Sequence, residues 1–129
     1  MHIVDYRVSQ DELDNSVIVR DTITIKQSGN AQSGAIAYMP FAGDIVAVTF
    51  MNNSGAAFTA AANIAVTAGT VVSSTANLAD GTTELDDTGL TNNTGLAEGD
   101  AITLTTGTTI GTGDTVAIIA IQAKLNSVV

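Results

Sequence analysis

Cysteine and tryptophan are absent from this chain, proline occurs once, and no lysine, arginine or histidine stands between Gln27 and Ala123. The missing thiol rules out disulfides and thiolate metal sites. The missing imidazole, ammonium and guanidinium remove most devices for proton transfer, nucleophile activation and anion stabilisation from the body of the chain. His2, alone near the start, does not replace them. The sequence therefore offers no catalytic set and no cofactor site, and it predicts a structural or binding role.

A net charge of −9 argues against nucleic acid, because duplex binding rests on cations that neutralise phosphates. It argues equally against adhesion to anionic membranes. No stretch approaches the roughly 18 uninterrupted apolar residues of a membrane-spanning helix. The start, Met1 to Arg7, lacks the apolar core of a signal peptide, which predicts synthesis in a cytoplasm without secretion by the general route.

What remains is small, apolar and hydroxyl-bearing. The body is built from Thr, Ala, Gly, Val and Ile, and eight carboxylates lie within it: Asp44, Asp80, Glu84, Asp86, Asp87, Glu98, Asp100 and Asp114. At 129 residues the chain suits one domain with a real core. Composition divides it near residue 33. Residues 1–27 hold Arg7, Arg20 and Lys26, three of the four cations; the fourth is Lys124. The loop-like join Gln27–Gly34 then leads into the Thr/Ala/Gly body. This predicts an N-terminal segment of arm and strands over 1–33 and a β-sandwich (jelly-roll-like) domain over 34–129.

Strand signals dominate. Val17–Lys26 ends in alternation, with Ile23 and Ile25 on one face and Thr22, Thr24 and Lys26 on the other. Asp44–Met51 is a β-branched run stopped by the turn cluster Asn52-Asn53-Ser54-Gly55. Ile64–Thr67 and Thr70–Ser73 flank Ala68-Gly69 as a tight hairpin. Ala101–Thr106 alternates again. Thr115–Gln122, the most apolar run, is expected to be a central strand buried on both faces. Helix signals are thin. Ser9-Gln10-Asp11-Glu12 has capping-box spacing but reads as an acidic loop. Gly55–Asn63 reads either as a short helical turn, favoured by its alanines, or as a loop too short for a stable helix. Short strands spaced about 8–12 residues apart predict an all-β, antiparallel sandwich or jelly roll.

Each candidate site has an ordinary alternative. Asp80, Glu84, Asp86 and Asp87 concentrate carboxylates in one loop, and Ca²⁺ takes about 6–8 oxygens; the spacing is not that of a helix–loop–helix calcium site, and an exposed acidic loop is the favoured reading. Glu98-Gly99-Asp100 and Gly111-Thr112-Gly113-Asp114 read as turns, where Asp and Gly tolerate left-handed backbone. Paired carboxylates could serve a glycosidase, but sugar platforms need aromatics, which are few. Arg7, Arg20, Lys26 and Lys124 either pair internally with neighbouring acids or mark a face that docks on an acidic partner.

Three segments taken together carry a resemblance. They are Met39-Pro40-Phe41-Ala42-Gly43-Asp44 running into Ile45–Phe50, then Glu98-Gly99-Asp100 running into Ala101–Thr106, then Gly111–Asp114 running into Thr115–Ile121. In style and order they resemble small β-sandwich proteins of tailed-bacteriophage virions, in particular capsid decoration (cement) proteins. The likeness covers roughly residues 36–123 and leaves residues 1–33 outside it, as an arm that contacts a capsid or a neighbouring subunit if the likeness holds. It implies a jelly-roll-like domain, trimeric, bound to the major capsid protein on the outer virion surface where capsomers meet, with no catalytic residues to carry over. Small Thr/Val/Ala faces suit flat packing between identical chains, and closed symmetry disposes of exposed edges. The alternatives are another virion module (head fibre, tail or receptor-binding domain) and a calcium- or carbohydrate-binding sandwich domain.

Overall fold

Alternating apolar and hydroxyl-bearing residues become eight β-strands in the computed structural model, which describes residues 18–28, 35–67, 69–75, 78–106 and 113–124. The strands are β1 (Ile18–Ser28), β2 (Ala35–Tyr38), β3 (Asp44–Asn53), β4 (Asn63–Val66), β5 (Thr70–Ser74), β6 (Thr82–Asp86), β7 (Ala101–Thr105) and β8 (Asp114–Lys124). All pairings are antiparallel, and they nest from the outside in. β1 pairs with β8, β2 with β7, β3 with β6 and β4 with β5. Two further pairings, β3 with β8 and β4 with β7, join these into two four-stranded sheets. Sheet A has the order β1-β8-β3-β6 and sheet B the order β2-β7-β4-β5.

The inward faces of the two sheets supply one core. Sheet A contributes Ile25, Ile45, Val48, Phe50, Ala117, Ile119 and Ile121, and sheet B contributes Ile64, Val66, Val72, Ile102 and Leu104. Register explains part of the packing. Small Ala117 lies opposite Ile25 on one side and Phe50 on the other, so a short side chain separates two large ones across the sheet. A fully buried aliphatic or aromatic side chain contributes about 1.5–3 kcal/mol. The exposed Lys26–Asp114 pair, at 3.7 Å, contributes at most about 1 kcal/mol. Burial decides the fold.

Several expectations hold and several are corrected. The β4–β5 hairpin forms around Gly69, whose φ is +82°. Residues 18–28, grouped by composition with the N-terminal arm, form β1 and run along the full length of β8. Asp80–Asp87, read as an acidic loop, contains β6; this edge strand is exposed on nearly every residue, so it lacks the alternation that marks a half-buried strand. β8 is central, as expected, but only one face is buried. Thr115, Ala117, Ile119 and Ile121 point inward, while Val116, Ile118 and Ala120 are half-exposed. Gly55–Asn63 contains no helix. It is an irregular segment that inserts Phe58 and Ala62 into the core, tied down where Phe58 N–H donates to Leu78 O at 3.0 Å.

Irregularities in the ladders aim particular side chains. In β3, Ile45 pairs with Ile121 and Ala47 with Ala120, so Val46 is an extra, bulged residue. The insertion lets Ile45 and Val48 both face the core, which strict alternation would forbid. At the start of β8, Gly113 answers a different need from the one its sequence suggests. Its φ is not left-handed; instead a Cβ there would lie 2.3 Å from Asn53 O, closer than any side chain could come.

One end of the interior is polar. Gln27, Thr115 and Asn52 sit side by side across β1, β8 and β3, all buried. Gln27 Nε2 donates to Thr106 Oγ1 at 2.9 Å. Thr115 Oγ1 has no hydrogen-bond partner among the described residues. A buried hydroxyl without a hydrogen bond costs about 1–3 kcal/mol, and valine has nearly the same shape. Thr115→Val is therefore expected to stabilise the fold, raising Tm by about 3–5 °C on the usual scale of 1 kcal/mol for a domain of this size. A thermal melt checks it, and a lower Tm would show that the hydroxyl is in use.

Candidate functional site

Four of the carboxylates fasten loops. Asp44 Oδ1 accepts Gly95 N–H at 2.8 Å, Asp80 Oδ1 accepts Gly55 N–H at 2.8 Å, and Asp100 Oδ2 accepts Ala97 N–H at 2.8 Å. Asp86 bridges two elements: Oδ1 accepts Gly89 N–H at 2.8 Å, and Oδ2 accepts the Ser73 hydroxyl at 2.5 Å. Asp and Asn side chains do this because a short acceptor can reach a nearby backbone donor that the turn leaves unpaired. The clasps of Asp86 on Gly89 and of Asp100 on Ala97 are local, three residues apart, whereas Asp44 and Asp80 reach donors 51 and 25 positions away that no local pattern announces.

Of the four residues considered for calcium, Asp80 and Asp86 are consequently tied to different partners. Asp80 reaches across to the segment after β3, and Asp86 faces Ser73 on β5. Successive residues of β6 and its continuation alternate in direction, which separates Glu84 and Asp86 from Asp87. Among the described residues, no group of three or more His, Cys, Asp or Glu side chains could hold a metal ion. A polar cleft of about 540 Å³ between β5 and β6 is lined by Ser73, Glu84, Asp86 and Thr91, among others. It offers hydroxyls and carboxylates, and its lining includes no His, Lys or Arg.

The cations are placed more tellingly. Arg20 and Lys26 are both exposed and, being an even number of residues apart on β1, share its outer face. Arg20 Nε donates to Gln122 Oε1 at 3.4 Å, which holds the guanidinium over β8. Beside it runs a shallow groove of about 500 Å³, lined by Arg20, Asp21, Thr22, Val46, Ala120, Ile121 and Gln122. The bulge at Val46 helps to form this groove. Lys26 lies near Asp114. Arg7 falls outside the described residues; Lys124 ends β8, its backbone opposite Ile18, and its side chain is likewise outside them.

Charge is divided between the sheets. Sheet A carries Arg20, Asp21, Lys26, Asp44, Glu84, Asp86, Asp114 and Lys124 in its strands. The strands of sheet B contain no Asp, Glu, Lys, Arg or His at all. Nothing in the sequence read strand by strand announces this segregation, because it appears only when the strands are sorted into sheets. No family model matches the chain, and no curated protein matches it.

Proposed function

We propose that this chain is a non-enzymatic virion structural protein, specifically a tailed-bacteriophage capsid decoration (cement) protein. On this reading it sits on the outer virion surface as a homotrimer, binds the major capsid protein and clamps neighbouring capsomers. The observation that carries the reading is the placement of charge. Four carboxylates fasten loops, Arg20 and Lys26 share one face of β1, and the strands of a whole sheet are uncharged. Such a molecule presents surfaces suited to protein contact.

The fold we propose is a jelly roll. Its support is the nested pairing of first strand with last, second with seventh, third with sixth and fourth with fifth, distributed alternately over two sheets. That order follows when one long antiparallel hairpin is rolled around a barrel-like core, the double Greek key of this architecture. The Arg20/Lys26 face, with the groove beside it, is the proposed capsid contact.

Co-sedimentation with undecorated mature capsids tests the function. The protein is expected to pellet with them, and Arg20→Glu combined with Lys26→Glu is expected to weaken binding by about tenfold or more, since steered contacts between charged surfaces are sensitive to reversal. Failure of the unaltered protein to co-sediment at any salt concentration would overturn the reading. Melting curves with Ca²⁺ and a glycan panel separate it from a ligand-binding sandwich domain, which would be stabilised by its ligand.

A further inference from the structure

We infer that the free edge of β1 is a docking site for residues 3–11 of the same chain, which would add one more strand to sheet A; the inference does not depend on the decoration reading above. Residues 1–17 lie outside the described residues, but the edge they lead into is described. β1 is an outermost strand of sheet A, and its 11 residues pair on one side with β8. The backbone groups on its other side have no strand against them among the described residues, and such a row is a template for a further strand. Ile23 shows the same opening from within. It faces the core as Ile25 does, yet Ile25 is buried and Ile23 only partly, as is Ala37 on β2, the edge strand of sheet B that lies against β1.

The sequence that runs into Ile18 fits this edge. Val4-Asp5-Tyr6-Arg7-Val8 alternates apolar and charged residues, the pattern of a half-buried strand, and Asp14-Asn15-Ser16 supplies residues that turns use. A two-residue turn at Asn15-Ser16, of the kind that joins antiparallel neighbours, would set Leu13 opposite Ile18 and fix every later pair. On the outer face, where Arg20 and Lys26 are exposed, Asp11 would then meet Arg20 and Asp5 would meet Lys26. On the inner face Val8 would meet Ile23, Tyr6 would meet Ile25 and Val4 would meet Gln27. Opposite charges and apolar pairs directly across a ladder both stabilise it, and Val8 would cover the open side of Ile23.

Charge also rejects the neighbouring registers. A slip by one residue would turn every side chain to the other face, so the competing registers are those displaced by two. One of them puts Arg7 opposite Lys26, cation against cation, which is unfavourable across a ladder. The other puts Ile3 opposite Lys26, and both separate Asp11 from Arg20. Of the three, the register set by the turn is the one that keeps two ion pairs. The added strand would lie on the side of β1 away from β8, so the groove over β8 stays uncovered and Arg7 joins Arg20 and Lys26 on the outer face.

Amide hydrogen exchange on the full chain, read residue by residue by NMR, tests the inference. In an edge strand alternate amides face solvent, whereas a strand flanked on both sides holds every amide in a ladder. All amides of residues 19–27 are expected to exchange at least about a hundredfold slower than in the unfolded chain; free exchange at every second one would overturn the inference. Asp5→Lys with Asp11→Lys is expected to speed that alternate set about tenfold while leaving the amides bonded to β8 unchanged, and adding Arg20→Asp with Lys26→Asp is expected to restore protection. A charge reversal without effect, or one that the compensating reversal fails to rescue, would sink the proposed register. Val8→Cys with Ile23→Cys, in a chain otherwise free of cysteine, is expected to close a disulfide within one chain, because directly opposed residues bring their Cβ atoms about 4.5–5.5 Å apart. Val4→Cys with Ile23→Cys, four residues out of register, is expected not to, and equal cross-linking of both pairs would count against the inference. A disulfide that joined two chains would assign the edge to a neighbouring copy, and the inference would fail. Circular dichroism establishes the folding of each variant, and the cysteine pair keeps the test open if the charge variants misfold.

Discussion

Replacing Asn52 by alanine is expected to lower stability by about 3–5 kcal/mol, since each net hydrogen bond contributes about 1 kcal/mol and an orphaned buried donor costs more. Asn52 is wholly buried, and its amide uses every bonding position it has. Nδ2 donates to Ala56 O and to Leu78 O, both at 2.9 Å. Oδ1 accepts Ser54 N–H at 3.0 Å and the Ser54 hydroxyl at 2.7 Å. One side chain thus ties the end of β3 to the irregular segment that follows and to the segment leading into β6. Alanine leaves Ser54 N–H without that acceptor, although Leu78 O retains Phe58 N–H and Ala56 O retains the Ser54 hydroxyl.

Asn52→Asp, with the same shape, sharpens the test. A carboxylate would turn an oxygen towards the Ala56 and Leu78 carbonyls where the amide donated. Burial and those carbonyls would raise its folded-state pKa above the unfolded value of about 3.9. A group with a raised folded pKa destabilises the fold increasingly as pH rises from the unfolded value through the folded one. The deficit of Asn52→Asp relative to wild type is therefore expected to be larger at neutral pH than near pH 4. Chemical denaturation at the two pH values reads it directly. A deficit independent of pH would mean that the site is open to water.

Phe58→Ala is expected to cost about 3–5 kcal/mol, the range for removing a buried aromatic, and to lower Tm by roughly 10–20 °C. Phe58 is 2% exposed although it lies outside every strand, so the segment between β3 and β4 acts as a plug in the sandwich. Phe58→Leu, which keeps much of the volume, is expected to cost only about 1–1.5 kcal/mol. A near-neutral Phe58→Ala would show that the segment lies loosely on the surface. Because Asn52 Nδ2 holds Ala56 O and the buried Phe58 side chain anchors the same segment after β3, the two alanine substitutions are expected to couple. Their combined cost should fall short of the sum, as for neighbours that hold one element.

Why some elements are legible from local pattern and others are not follows from these same residues. β1, β3, β7 and β8 alternate or run apolar because each buries a full face. The β4–β5 hairpin is marked by Gly between two β-branched runs. β2 and β6 escape recognition for the opposite reason: they are short edge strands, with Ile36, Tyr38 and Leu85 exposed and little alternation between an inside and an outside. Asn52 is readable as part of a turn cluster, yet its role as a buried hub depends on Leu78, which the fold brings to it from 26 positions away. The candidate contact residues fare similarly. Arg20 and Lys26 share a face by strand period alone, while the groove beside them needs the bulge at Val46.

By itself the sequence determines an all-β chain, free of cysteine and rich in small apolar and hydroxyl-bearing residues, because strand period, turn residues and composition are local properties. Only the tertiary structure decides that β8 is buried on one face, that the acidic stretch 80–87 contains an edge strand, and that the charge in the strands lies on one sheet. Pairing is the reason. It joins residues as distant as Arg20 and Gln122, 102 positions apart, and what a side chain faces is set by the strand across from it.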